Sequence, residues 1–317
     1  MRTLIDSEQI RKVVGTHYEI DLIDCALHKN GTHDVYKIIG KGGEYFFKVY
    51  RHGFHQAKDV DAEIWLLNRL GELDAPVVVP VPQVIGNGFV EVRAPEGLRY
   101  GVLYTKADGE VGDFSEEHLY HHGSSLAMIH LAADKIKETS DRFHLDLNHL
   151  LVRPFSLVQP FLRRQQETQV SAIIQAITSV VKSLEKTKPY YGLCHGDAGG
   201  WNCHITEDKV VTHYDFDFCG YGWRSYDLAV FLWSRHINCD EHAIADQHFQ
   251  WFLNGDQSKR LLSAEERTCI PHFTVCRAIW MMELQWRQGM SQQQAEELYE
   301  RHMSFINYWI EDGRIEK

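Results

Sequence analysis

Apolar positions alternate along the first third of the chain and recur at helical spacing through most of the rest. Ile10, Val13 and Val14 follow Ser7 at helical intervals, the pattern of a short capped helix over residues 7–15. Tyr18 to Leu27 alternates and predicts a strand, Val35 to Ile39 predicts a second, and the turn-rich His28-Lys29-Asn30-Gly31-Thr32-His33 joins them. After the tight turn Lys41-Gly42-Gly43-Glu44, the aromatic and β-branched run Tyr45-Phe46-Phe47-Lys48-Val49-Tyr50 predicts a third strand. Val60, Ile64, Leu67 and Leu70 form the apolar stripe of a helix that Gly71 ends. A stiff connection from Pro76 to Pro82 leads to strands at Val84-Ile85-Gly86, Phe89 to Arg93 and Leu98 to Tyr104. The polar segment Thr105-Lys106-Ala107-Asp108-Gly109 then marks a boundary. It separates a strand-rich portion, residues 1–104, from a helical portion, residues 105–317.

In the second portion Ser115 opens a helix to about Ala132, with Leu119, Leu126, Ile129 and His130 inward. Residues 141–160 contain Pro154 and Pro160 and read as irregular, and a long helix follows from Val158 to Leu184. Trp223 to Arg235 predicts another helix. Ser263-Ala264-Glu265-Glu266 and Ser291-Gln292-Gln293-Gln294 match capping boxes, so two further helices begin there. The fold class is α+β.

With 317 residues, 44% hydrophobic and 24% charged, the chain is long enough for two lobes and has the composition of a soluble globular protein. No apolar run approaches the ~18 residues of a spanning helix, and the polar start, Met1 to Asp6, shows no secretory signal. Seven scattered cysteines point to reduced thiols and a cytoplasmic setting. A net charge of −11 disfavours nucleic acid as a partner and favours a cationic substrate. Most of the nineteen histidines read as solvated or core imidazoles.

One stretch carries the chemistry. His195-Gly196-Asp197-Ala198-Gly199-Gly200-Trp201-Asn202 is followed by Cys203 to Thr206, a polar turn, Val210 to Tyr214, and then Asp215-Phe216-Asp217. The middle piece predicts a hairpin, which returns its ends to one place and brings Asp197 and Asn202 beside Asp215. Phosphoryl transfer needs such a cluster: one carboxylate for the hydroxyl proton, and an Asn oxygen with a second carboxylate to hold Mg²⁺ against phosphates. The competing readings are that Asp197 and Asn202 are turn residues, or that His195, His204 and His213 form a zinc site, for which their spacings are unusual. Lys48, alone in an apolar strand, needs a partner or an anion, such as the phosphates of a nucleotide; the alternative is an edge strand that lets it reach water. Glu63, beside the stripe of the helix that follows, is the candidate partner for Lys48, with Asp59 and Asp61 as competitors.

At these residues the chain resembles the aminoglycoside phosphotransferase-like kinases, the group that also holds choline and homoserine kinases. Their pattern is His-Gly-Asp, four residues, Asn, a short hairpin and an Asp-x-Asp-like element, and every position is filled here. The resemblance continues through Gly220-Tyr221-Gly222 to Tyr226-Asp227-Leu228-Ala229, and covers Phe47-Lys48-Val49-Tyr50-Arg51. It implies a two-lobed protein-kinase-like fold, with a small antiparallel sheet and one helix in the N-lobe and a mostly helical C-lobe. It further implies ATP as phosphoryl donor with Mg²⁺. Asp197 orients the acceptor hydroxyl and takes its proton, and Asn202 and Asp215 bind Mg²⁺ with Asp217 adding to the metal site. Lys48, held by Glu63, contacts the α- and β-phosphates. The loop with Asn30 and Gly31 covers the phosphates, although it has one glycine rather than a glycine-rich signature, and the backbone from Leu103 to Thr105 reads the adenine edge.

His195 is expected to fix the catalytic loop by hydrogen bonding, and Asp227 to cap its helix or brace that loop. The expected acceptor is a small, amine-bearing, cationic molecule: an aminoglycoside, an amino alcohol or an amino acid. Trp280, Met281, Met282, Trp286 and Tyr308 read as core with some lining an acceptor pocket, and Glu283 as a contact for a positive group. Bacterial Ser/Thr protein kinases of the same family and a nucleotide-binding pseudokinase are the alternatives. Against the first, Asp215 is followed by Phe216-Asp217 rather than Phe-Gly and no Ala-Pro-Glu follows; against the second, Lys48, Glu63, Asp197, Asn202 and Asp215 are all present.

Overall fold

A computed structural model describes residues 3–315 apart from 85, 87, 288 and 290. The strand-rich portion starts with α1 (Ser7–His17), which buries Ile10 and Val14. It continues with β1 (Leu22–Asn30), β2 (Asp34–Gly40), β3 (Gly43–Val49), α2 (Ala57–Glu72), β4 (Val90–Ala94) and β5 (Gly97–Thr105). The strands form one antiparallel sheet in the order β1-β2-β3-β5-β4. The first strand begins later than the alternation predicts because Tyr18 ends α1, its N–H bonding Val14 O at 3.0 Å. Of the strand expected at residues 84–86, the described residues Val84 and Gly86 are not in a strand: the Val84 N–H turns to His17 O at 2.9 Å and Gly86 bends the chain at φ 89°, while Ile85 lies outside the described residues.

Register across the sheet decides where Lys48 stands. It pairs with Val35 on β2 and Val102 on β5, so β3 is interior and the edge-strand reading fails. Because side chains alternate, Phe46, Lys48 and Tyr104 share one face and line a cleft, while Phe47 and Leu103 lie on the other and pack with α1 residues.

The helical portion runs α3 (Glu116–Ala133), β6 (His144–Leu145), α4 (Arg153–Val158), α5 (Arg164–Val181), β7 (Tyr191–Cys194), β8 (Cys203–Ile205), β9 (Val211–His213), β10 (Gly220–Trp223), α6 (Arg224–Asn238), α7 (His242–Gln257), α8 (Ala264–Arg287) and α9 (Gln292–Glu311). Residues 141–160 are more regular than expected: a π-helical turn at Asn148–Val152 leads into α4, with Pro154 in the first turn where its missing N–H costs nothing. Helix α5 begins after the predicted start because a 3₁₀ turn, Gln159–Phe161, and an extended Leu162 interrupt the chain at Pro160. Both expected capping boxes form. Ser263 and Glu266 exchange bonds of 3.0 and 3.1 Å, and Ser291 and Gln294 bonds of 2.9 and 3.3 Å. Helix α7 falls in a stretch the reading above leaves unassigned, although Ala245, Phe249, Phe252 and Leu253 form its buried stripe. No helix among the described residues is long and apolar enough to cross a membrane.

Two features carry this scaffold to the cleft. The connection after α2 docks on the hairpin, His213 N–H bonding Pro76 O at 2.8 Å and Val78 N–H bonding His213 O at 2.9 Å. Below it, the Ser125 hydroxyl on α3 meets His213 Nε2 at 2.7 Å. Helices α3 and α7 approach closely enough that a Cβ on Gly123 would stand 1.8 Å from Phe252 O, and one on Gly255 would stand 1.9 Å from Tyr120 O. A methyl at either site must drive the helices apart, at a cost of about 1–3 kcal/mol. Gly123→Ala and Gly255→Ala should therefore each lower the midpoint of thermal denaturation, and an unchanged midpoint would show that the two helices separate freely.

Candidate active site

Strand β7 delivers His195-Gly196-Asp197 to the floor of a cleft of about 350 Å³. Gly196 has φ 80°, and a Cβ there would stand 2.0 Å from Phe218 O, so the turn needs glycine. The Asp227 carboxylate, in the first turn of α6, accepts the N–H groups of His195 and Gly196, both at 2.8 Å, and meets His130 Nε2 at 2.8 Å. Of the two roles open to Asp227, the structure shows the brace. Burial opposes its charge, but the His130 bond and the backbone donors hold the carboxyl below its usual range. His195 has both ring nitrogens engaged. Nδ1 accepts the Asp197 N–H at 3.2 Å, Nε2 reaches Tyr214 O at 3.1 Å, and the ring stacks on Phe216 at 4.0 Å.

The hairpin of β8 and β9 pairs Cys203 with His213 and Ile205 with Val211. Tyr214 N–H then bonds Asn202 O at 3.0 Å, which sets residues 202 and 215 side by side. Asn202 Nδ2 donates to Asp197 O at 2.8 Å and to Asp197 Oδ2 at 3.0 Å, so the amide nitrogen is committed and the amide oxygen is left for a hard cation. Asp215 adopts φ 66°, a left-handed backbone that costs a residue with a Cβ about 1 kcal/mol or more. Its Oδ1 accepts from Lys48 Nζ at 2.5 Å. An amide oxygen and a carboxylate at one mouth are the donor set Mg²⁺ takes, so Asn202 and Asp215 fit that ion.

Lys48 is 6% exposed, with Glu63 Oε1 at 3.8 Å and Asp217 Oδ2 at 3.7 Å besides Asp215. Burial works against its charge, but the three carboxylates outweigh it and raise the ammonium above its ordinary range. Burial raises the carboxyl of Glu63, and the Tyr104 hydroxyl donates to it at 3.2 Å.

Four expected site residues stand elsewhere. Asp217 is not among the residues lining the cleft. It lies buried behind Lys48, accepting from His33 Nε2 at 2.6 Å. His33 Nδ1 accepts the Arg51 N–H at 3.0 Å, so Nε2 carries the proton; this tautomer prevents His33, His55 and Asp217 from sharing a metal ion, although their ligand atoms lie within 4.8 Å of one another. Asn30 ends β1 away from the cleft lining, and Gly31, Thr32 and His33 form the roof instead. Leu103 is fully buried with its N–H on the Tyr18 hydroxyl at 3.2 Å and its carbonyl on Val81 N–H at 2.8 Å, so its backbone is not open to an adenine edge. Thr105 does line the cleft, with its N–H held by Val79 O at 3.0 Å. Glu283 is buried against Arg153 at 3.3 Å and Arg287 at 3.8 Å, which occupies the carboxylate assigned above to a positive acceptor group. The zinc reading also fails: His195 is engaged as described, His213 meets Ser125, and His204 Nδ1 meets Ala107 O at 3.1 Å.

Two arginines at the site escaped the sequence reading. Arg142 donates to Cys219 O at 2.5 Å, to Asp59 O at 2.6 Å and to Asp217 O, tying the segment after Asp215 to the start of α2. Arg277, on α8, forms an ion pair with Asp197 Oδ1. Its signal was the one that marked Lys48, a charge within an apolar run, here Val275-Cys276-Arg277-Ala278-Ile279-Trp280. Burial raises the Asp197 carboxyl, and Arg277 opposes that rise.

The model of the phosphotransferase enzyme family matches residues 25–262. An uncharacterized protein of Synechocystis is 30% identical over 276 residues, covering 86% of this chain and 75% of its own length. Two solved structures share the fold at a TM-score of 0.79: an amicoumacin kinase in complex with AMP-PNP and Ca²⁺, 18% identical and covering 98% of this chain and 95% of that one, and a microcompartment-associated aminopropanol kinase, 19% identical and covering 98% and 99%. The family match spans most of the chain and takes in the strand lysine, the His-Gly-Asp loop, Asn202 and Asp215, and the chain belongs to the phosphotransferase enzyme family.

Proposed function

We propose that this protein is an ATP-dependent kinase that phosphorylates a hydroxyl of a small, amine-bearing molecule. The observation that carries the reading is the convergence of Lys48, Asp197, Asn202 and Asp215 on one cleft. The strand-rich lobe, residues 1–104, holds the nucleotide, and residues 105–317 hold the catalytic loop and the acceptor. Phe46, Leu67, Val78, Tyr104 and Ala107 give the cleft apolar walls suited to a base, and Gly31 and Thr32 lie over the phosphate end. Lys48 holds the α- and β-phosphates. Asp197 accepts a hydrogen bond from the acceptor hydroxyl and takes its proton as the new O–P bond forms and the bond between the β,γ-bridging oxygen and the γ-phosphorus breaks, leaving ADP. Asn202 and Asp215 hold Mg²⁺, which when bound neutralises phosphate charge. Positioning and charge supply most of the rate, because the reaction asks little covalent chemistry of the protein.

Support for a cationic acceptor comes from the net charge of −11 and from the aminopropanol kinase of the same fold. A small molecule is favoured over a protein because Asp217, standing where protein kinases have glycine, is locked to His33 in the interior. The same balance of charge and cysteine content supports a cytoplasmic protein without a nucleic-acid partner.

Two measurements test the reading. Coupled ADP release should accelerate with at least one member of a panel of amino alcohols, aminoglycosides and hydroxy amino acids; acceleration by Ser/Thr peptides alone would overturn the small-molecule assignment. Asp197→Ala should lower kcat by about 10²–10⁴-fold while ATP-analogue affinity stays near that of the unmodified protein, and wild-type turnover in that variant would remove Asp197 from the role of base.

A further inference from the structure

Arg277 is 3% exposed in a helix buried on most of its faces. A guanidinium taken out of water costs several kcal/mol unless its hydrogen bonds are met, so its place needs a reason. It reaches the catalytic loop twice: Nη2 to Asp197 Oδ1, and Nη1 to Gly196 O at 3.3 Å. The planar fork thus spans the carbonyl before Asp197 and the carboxylate itself, a geometry a single ammonium does not reproduce. Trp280 and Trp233 support the guanidinium, their ring centres 4.6 and 5.4 Å from its carbon. Asn202 Nδ2 holds the other carboxylate oxygen at 3.0 Å. The two oxygens of Asp197 are therefore gripped from different elements, one by α8 and one by the loop's own end.

We propose that Arg277 is a positioning residue for phosphoryl transfer, fixing the side-chain rotamer of Asp197 so that the carboxylate meets the acceptor hydroxyl in line with the γ-phosphate. The proposal rests on the reading that Asp197 takes the acceptor proton. It assigns Arg277 no contact with substrate and no share in nucleotide binding, since Arg277 is not among the residues lining the cleft.

A displaced base costs the chemical step and spares ATP binding, so the signature is a split between kcat and KM. Arg277→Lys, which keeps the charge, and Arg277→Met, which keeps the stem, should each lower kcat by about 10²-fold with the KM for ATP nearly unchanged. In Arg277→Ala, millimolar guanidinium ion should restore part of the rate by occupying the space beside Trp280. Wild-type kcat in Arg277→Lys, or KM for ATP rising in step with the loss of kcat, would overturn the proposal. Should Arg277→Met fail to fold, Arg277→Lys and the guanidinium titration decide. If Arg277→Lys keeps wild-type kcat while Asp197→Ala is dead, the positioning role falls and the base assignment stands; if Asp197→Ala is itself active, the base assignment falls first.

Discussion

The contact between Lys48 and Asp215 governs the rest of the structure. An ammonium this deeply buried is unfavourable unless carboxylates surround it, and they arrive from separate elements: Glu63 from α2, Asp215 and Asp217 from the segment after the hairpin. The strand-rich and helical portions are thereby joined through charge as well as packing. The run Asp215-Phe216-Asp217 divides its labour by direction. The first carboxylate faces the cleft, the ring between them enters the core against His195, and the second carboxylate lies behind Lys48.

Local pattern made a good part of this legible. The hairpin could be read because its two strands and turn are contiguous, and a hairpin by itself brings residues 202 and 215 together. Lys48 stood out as a charge in an apolar strand, and Glu63 lay beside a helical stripe that fixed its face. The capping boxes were equally local. Helix α7 was locally encoded as well, since Ala245, Phe249, Phe252 and Leu253 recur at helical spacing, and Gly255 then packs it against α3.

What escaped reading was set by register and by long-range pairing. Leu103 is one residue from the cleft-lining Tyr104, yet it falls on the opposite face because Val102, not Leu103, pairs with Lys48. Asp217 matched a metal-binding pattern, but its direction depends on a hydrogen bond from His33, far away in the chain. Arg142 and Arg277 reach carbonyls and a carboxylate across similar separations, and nothing near them in sequence names those partners. The brace at Asp227 joins His130 to the backbone of His195 and Gly196, which no spacing rule connects.

Gly196 bears on how such a scaffold diversifies. The peptide that aims Asp197 is pressed so closely on Phe218 that no other amino acid fits between them. Inheritable novelty is thereby steered elsewhere: side chains around the loop can change, while this innermost joint stays frozen in its smallest possible form.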